Sequence, residues 1–220
     1  MFKKLFSLFA ALTLSVGLSA EAPATVEYVD LGLPSGLKWA TMNVGATKPE
    51  EYGDYFAWGE TNPRTTYDWS TYKWCNGSYN TQTKYCTSSS YGTVDNKTVL
   101  DPEDDAAHVN WGGNWRMPTK AEQDELRTEC TWTWTTDYNS TGVAGYIVSS
   151  TRNSNTIFLP ASGNRINSSL SGVGSYGEYW SSSLEEGDSY FAYYLNFRSD
   201  DVQWSGGDRY AGRSVRPVCK

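Results

Sequence analysis

The sequence has a single histidine, His108, and three methionines. One imidazole cannot build the multi-histidine sites that hold catalytic zinc or iron. No G-x-S-x-G elbow accompanies it, which excludes the usual serine hydrolase arrangement. The four cysteines form no C-x-x-C and no Cys/His metal spacing. The G-x-G at Gly172 lacks the strand-then-helix setting of a nucleotide site and reads as a loop. Positive charge is scarce: 18 Lys and Arg stand against 25 Asp and Glu, a net charge of −7. Such a surface repels nucleic acid and anionic membrane. Beyond the first twenty residues, no apolar run is long enough to cross a bilayer.

Those first twenty residues have their own pattern. Lys3 and Lys4 precede "LFSLFAALTLSVGL", and Ala20 sits at a cleavage point. This predicts a secretory signal peptide over 1–20 and an exported protein, secreted or at the cell surface, with the periplasm as the other destination. The run is short for a membrane anchor and has no stop-transfer flank, so no membrane insertion is expected after cleavage. Residues 21–220 are read as one domain, long enough to bury a full core. No oligomeric state is set by the sequence.

What is abundant is aromatic: ten Trp and sixteen Tyr. Ser, Thr, Asn and Gly fill the intervals. The mixture favours strands and ordered loops over helices. It also matches the chemistry of combining sites, where rigid amphipathic rings give contact area at low entropic cost. An even number of cysteines in an exported chain permits two disulfides. Cys75 and Cys86 bracket a polar loop and are the natural local pair. That leaves Cys130 with Cys219.

Along the chain, residues 26–45 read as short strands around a turn at Pro34-Ser35-Gly36. In the following segment Tyr55, Ala57 and Gly59 alternate with Phe56 and Trp58. Residues 60–98 have no stable period, and a loop of that length is functional or packed by its own side chains. Asp101 with Pro102 predicts a helix start, ended by Gly112-Gly113. Calcium can bind hard oxygens like those of Asp101, Glu103, Asp104 and Asp105, but the spacing is not that of an EF-hand, and compensation of the helix dipole explains them more simply. Thr119 and Glu122 form a capping box for a second helix, with Leu126 and Cys130 on one face. Arg116, just upstream, is placed to pair with a carboxylate or stack on a ring. "WTWTT", "GYIVSS" and "NTIFLPASG" predict strands, the last two turning near Asn153-Ser154. In "SYFAYYLNF", Phe191, Tyr193, Leu195 and Phe197 share one face. Ser205 to Asp208 reads as a turn, and "GRSVRPV" as the last strand.

The aromatic-rich C-terminal segment divides into core and surface. Phe191, Tyr193, Leu195, Phe197, Val215 and Val218 are the expected core. Tyr176, Tyr179, Tyr190, Tyr194, Gln203, Trp204, Asp208, Arg209 and Tyr210 are the expected recognition surface. Trp204 and Tyr210 are suited to stacking on a sugar or filling a protein pocket, and Asp208 and Arg209 to directional hydrogen bonds. The expected partner is a protein or glycan ligand; no catalytic residue, metal or cofactor is assigned.

Five stretches together carry a family resemblance: "DLGLPSGLKWATMNVGA", "YGDYFAWGET", "DDAAHVNWGGNWRMPTKAEQDEL", "YWSSS" and "GRSVRPV". The chain from Tyr28 to Cys219 resembles the Fibrobacter succinogenes major paralogous domain family. "WRMPTKAEQDEL" is also similar to the R-L-P-T-x-x-E-W motif of formylglycine-generating-enzyme-like proteins, with Gln123 in place of Trp. The resemblance implies an α+β, C-type-lectin-like fold: small twisted antiparallel sheets, two short helices and much ordered loop. It withholds the chemistry of those enzymes, because only Cys219 stands where they carry a cysteine pair. It also withholds calcium-dependent sugar binding, since E-P-N, Q-P-D and W-N-D are absent. Some members of this fold are varied by diversity-generating retroelements over a C-terminal stretch, and Gly172 to Arg213 has that mixture of residues. The alternatives are a structural or adhesive subunit of a surface assembly such as a pilus tip, and a relative of the formylglycine-generating enzymes with an altered site.

Overall fold

A computed structural model describes residues 26–220; the signal-peptide expectation lies outside the described residues. The architecture is α+β, with small antiparallel sheets and few helices. Strands β1 (Tyr28–Asp30) and β2 (Lys38–Ala40) flank the predicted turn. They form a sheet with the short C-terminal strand β11 (Val218–Cys219), in the order β1-β2-β11. Strands β3 (Cys130–Thr135), β4 (Gly145–Ser150) and β5 (Thr156–Pro160) form a meander. Strands β6 (Asn164–Ile166) and β7 (Ser169–Ser171) form a two-stranded hairpin, with Arg165 bridged to Gly212. The largest sheet joins β8 (Tyr176–Leu184), β9 (Phe191–Arg198) and β10 (Asp201–Asp208) in the order β10-β9-β8.

Two helices follow the long loop. Helix α1 (Ala106–Trp111) is capped by Asp105, whose carboxylate accepts from the Ala107 and His108 N–H groups. The expected start at Asp101 and Pro102 is instead a 3₁₀ turn, Pro102–Asp104, with no side-chain cap. Asp105 wins because its carboxylate also accepts from the Met117 N–H at 2.8 Å, tying the cap to the chain beyond the helix. Helix α2 (Lys120–Glu129) starts at the predicted box, with Thr119 and Glu122 each accepting from the other's backbone. Arg116 clamps the same Glu122 with two hydrogen bonds, 2.7 and 2.6 Å.

Strands β8 and β9 are loaded on both faces. Tyr179, Leu195 and Phe197 enter a core shared with Trp39, Leu126, Tyr146 and Leu159. Trp180, Ala192 and Tyr194 enter a second core with Phe56, Trp58, Tyr85 and Met117. The expected one-sided pattern for β9 therefore holds only in part. Leu195 and Phe197 are buried, but Phe191 and Tyr193 are half-exposed while Ala192 and Tyr194 are covered. The alternation at 55–58 is put to the same use without a strand. Phe56 and Trp58 join the second core, and Tyr55 and Ala57 a third with Tyr67 and Tyr72. Two tryptophans lock the arrangement: Trp58 Nε1 donates to the Ser181 carbonyl and Trp180 Nε1 to that of Phe56, both at 2.8 Å.

The run "YWSSS" marks a bulge in β8, where the register against β9 shifts between Trp180 and Leu184. The serines satisfy the interrupted ladder. Ser181 Oγ donates to the Tyr193 carbonyl at 2.8 Å, and Ser183 Oγ accepts from the Lys120 N–H at 3.1 Å. Ser205-Gly206-Gly207-Asp208 is not a turn but the second half of β10, paired in register with β9. Gly207 serves space: a Cβ there would meet the Arg213 guanidinium and the Tyr194 ring. Only Val218 of the expected last strand is strand, continued by Cys219; Arg213 and Ser214 make single bridges to Phe56 and Tyr179.

The four thiols are free and buried, which corrects the expected disulfides. Cys75 Sγ donates to the Trp69 carbonyl at 3.2 Å, and Cys86 Sγ to that of Ser88 at 3.1 Å. Backbone bonds close their loop instead, among them Thr83 N–H to the Trp74 carbonyl and Gln82 N–H to that of Tyr91. Cys130 and Cys219 lie in different sheets, one opening β3 and the other ending β11.

Candidate functional site

The pleat sorts the expected surface residues. On β8 and β9, Tyr176, Glu178 and Trp180 lie opposite Arg198, Asn196 and Tyr194. On β10, Gln203 lies opposite Asn196 and Ser205 opposite Tyr194. Facing partners share a sheet face, so Tyr176, Tyr194, Asn196, Gln203 and Ser205 are on one side. The floor of this face is buried: Trp180, Tyr194 and an arginine laid over them. The Arg213 guanidinium lies 4.1 Å from the Trp180 ring centroid and 4.0 Å from that of Tyr194. Its Nε donates to Glu178 at 2.6 Å, and Asn164 donates to the same carboxylate oxygen at 3.0 Å.

The rim is open. Gln203 is exposed, and Tyr176, Asn196, Ser205, Asp208 and Tyr210 are half-buried. Tyr210 packs edge-on against Trp69, centroids 4.9 Å apart, and lies close to Asp208. Burial raises the Asp208 carboxyl above its ordinary value, although Arg213 and the Tyr210 hydroxyl pull it down. Burial and Asp208 together raise the Tyr210 phenol. The result is a carboxylate and a phenol set close together beside an aromatic ring. That arrangement suits stacking and directional hydrogen bonding.

Tyr190 lies near Asp208, within an aromatic group contributed by the long loop. Its ring is 5.3 Å from Tyr79 and 5.1 Å from Tyr91. Tyr91 in turn hydrogen-bonds Asp188. The loop 60–98 thus delivers Trp69, Tyr79 and Tyr91 to the edge of this face, which no periodicity in the loop had marked.

Four expected surface residues are placed differently: Tyr194 is covered within the second core, and three others lie off the face. Arg209 is fully buried. Its guanidinium donates to the Tyr72 hydroxyl at 2.8 Å and to the carbonyls of Tyr85, Ser189 and Lys84 at 3.0, 2.8 and 3.0 Å. It fastens the long loop to the end of β10 and is unavailable to a ligand. Tyr179 points into the first core, its hydroxyl donating to the Pro160 carbonyl at 2.7 Å. Trp204 is exposed but on the opposite face, beside α2. Lys120 Nζ stands 3.4 Å from its ring centroid and 4.2 Å from that of Tyr193.

The acidic cluster before α1 is neutralised by lysines. Lys84 reaches Asp101 and Asp104, both at 2.6 Å, and Lys97 reaches Asp101 at 2.5 Å. Among the described residues no group of three His, Cys, Asp or Glu side chains is placed to hold a metal. No described helix is long and apolar enough to cross a membrane. In comparisons with known proteins, the chain matches no family model, no curated protein and no solved structure.

Proposed function

We propose that this protein is a non-catalytic, exported binding module that recognises a protein or glycan ligand through the face built on β8, β9 and β10. One observation carries the reading: open polar and aromatic groups surround a floor that is already desolvated and fixed. Tyr176, Gln203, Asp208 and Tyr210 form the rim, and Arg213 is locked by Glu178 beneath them. Preorganised aromatic and charged groups bind with little ordering cost. The proposed scaffold is a single C-type-lectin-like domain of the major paralogous type, with a signal peptide at residues 1–20. Small antiparallel sheets, two short helices and long self-packed loops support that scaffold. A C-terminal stretch open to diversification fits the reading, since β10 is an edge strand and Gln203 on it is exposed.

The test is a screen of the purified protein against glycan and host-protein arrays, with a Gln203→Ala, Tyr210→Ala double variant beside it. Binding by the parent and not by a folded variant supports the reading. Equal binding by both, or co-purification with large polymers and no ligand, favours an adhesive or structural subunit.

A further inference from the structure

A cavity of about 310 Å³ opens between α1, the segment 113–117 and the bulge of β8. It shares no residue with the recognition face. Val99, Leu100, Trp115 and Met117 make its lining largely apolar. His108 also lines it. Among the described residues, this ring's only protein hydrogen bond joins Nδ1 to the Trp115 carbonyl, at 3.2 Å. A carbonyl can only accept, so Nδ1 carries the proton and neutral Nε2 is left with a lone pair. Asp105, at the back of the cavity, is already engaged by three backbone N–H groups, from Ala107, His108 and Met117. With Asn114 at the exposed mouth, the polar atom of the inner lining that has no protein partner is this one acceptor, in largely apolar surroundings.

Volume and polarity together define what fits. An apolar cavity of about 150 Å³ is enough to take benzene; this one is roughly twice as large, room for one substituted ring. A charged ligand would find no counter-ion, since Arg116 is already paired with Glu122 and desolvating a lone charge is costly. An O–H donor matches Nε2, and burying that lone pair without a donor is unfavourable. We propose that this cavity is a binding site for a small neutral ring compound bearing a hydroxyl, a phenol in chemical class, with its O–H donated to His108 Nε2.

The single histidine makes the test clean. Protein labelled with ¹⁵N in histidine is titrated with p-cresol and, separately, with toluene, following the two ring nitrogens by NMR. The expected result is a saturable shift of Nε2 with p-cresol, with Nδ1 keeping its protonated signature. Toluene should bind about fivefold more weakly, the worth of one hydrogen bond, and leave Nε2 nearly unmoved. Val99→Trp, a change at the exposed rim of the cavity, should abolish the shift without disturbing the fold. No saturable shift with p-cresol, equal affinity for toluene, or an undiminished shift in a folded Val99→Trp variant would overturn the proposal.

Discussion

The Glu178 carboxylate and the Arg213 guanidinium meet at 2.6 Å, both nearly sealed from solvent. Glu178 belongs to β8 and Arg213 to the segment after β10, so the pair ties that segment to the floor of the proposed recognition face. Removing one partner strands the other charge in the interior. Glu178→Ala should cost about 3–5 kcal/mol in urea denaturation. A Glu178→Leu, Arg213→Met double variant should recover most of that loss. It should not recover ligand binding, because Arg213 also supports Tyr194 and the backbone at Asp208.

The two aromatic patches should separate by mutation. Trp204→Ala is expected to leave ligand binding intact and to cost about 0.5–1 kcal/mol of stability through its lost contact with Lys120. Tyr210→Ala should do the reverse at the level of binding, weakening it severely while the fold survives. Loss of binding in Trp204→Ala would move the recognition surface to the α2 side.

Ligand binding should also report on Asp208. Its carboxyl sits above the ordinary value, so it gains its proton earlier on acidification than an exposed aspartate. Affinity that uses the carboxylate should begin to fall above the usual aspartate range. Asp208→Asn should remove that dependence, as measured by calorimetry across mildly acidic pH.

Acid stability has a different source. Burial raises the Glu122 carboxyl, but the Arg116 pair and the Thr119 N–H outweigh it and hold it below the ordinary 4.5. A depressed folded value means that its stabilisation is complete above the unfolded value and lost as pH falls through the folded one. Glu122→Gln should flatten the decline in melting temperature below that range. At neutral pH, Thr119→Ala should cost about 1 kcal/mol.

The thiols should resist reagents in the native state. Burial raises Cys75 and Cys219, and burial with Glu129 and Glu125 pushes Cys130 up to about 11. Thiolate is the reactive form. Iodoacetamide in mildly alkaline buffer should modify the folded protein slowly, and all four cysteines after denaturation, as read by intact mass. A protein that takes up fewer labels when denatured without reductant would contain a disulfide.

Local signals were legible wherever one short stretch decided the outcome. Thr119 and Glu122 announced α2, and the alternation of "WTWTT" and "GYIVSS" announced β3 and β4. Reading failed where a residue answers to partners distant in sequence. Arg209 looked like a surface arginine because its acceptors, Tyr72, Lys84, Tyr85 and Ser189, come from a loop with no period and a separate hairpin. Gly207 looked like part of a turn because its reason, the room taken by Tyr194 and Arg213, lies across the sheet. Strand β8 was invisible because its serines fill a bulge and its two faces serve different cores. Of the proposed recognition face, Tyr176, Gln203, Asp208 and Tyr210 were among the residues that the sequence suggested. Glu178 and Arg213 were not, since nothing local pairs them.

Tyr179 and Trp180 are adjacent in the chain, yet each anchors a different core. A tug on a ligand held at Gln203 or Tyr210 would run into β9 and β8 and load both cores together. A tether that must stay bound under shear needs that distribution of force.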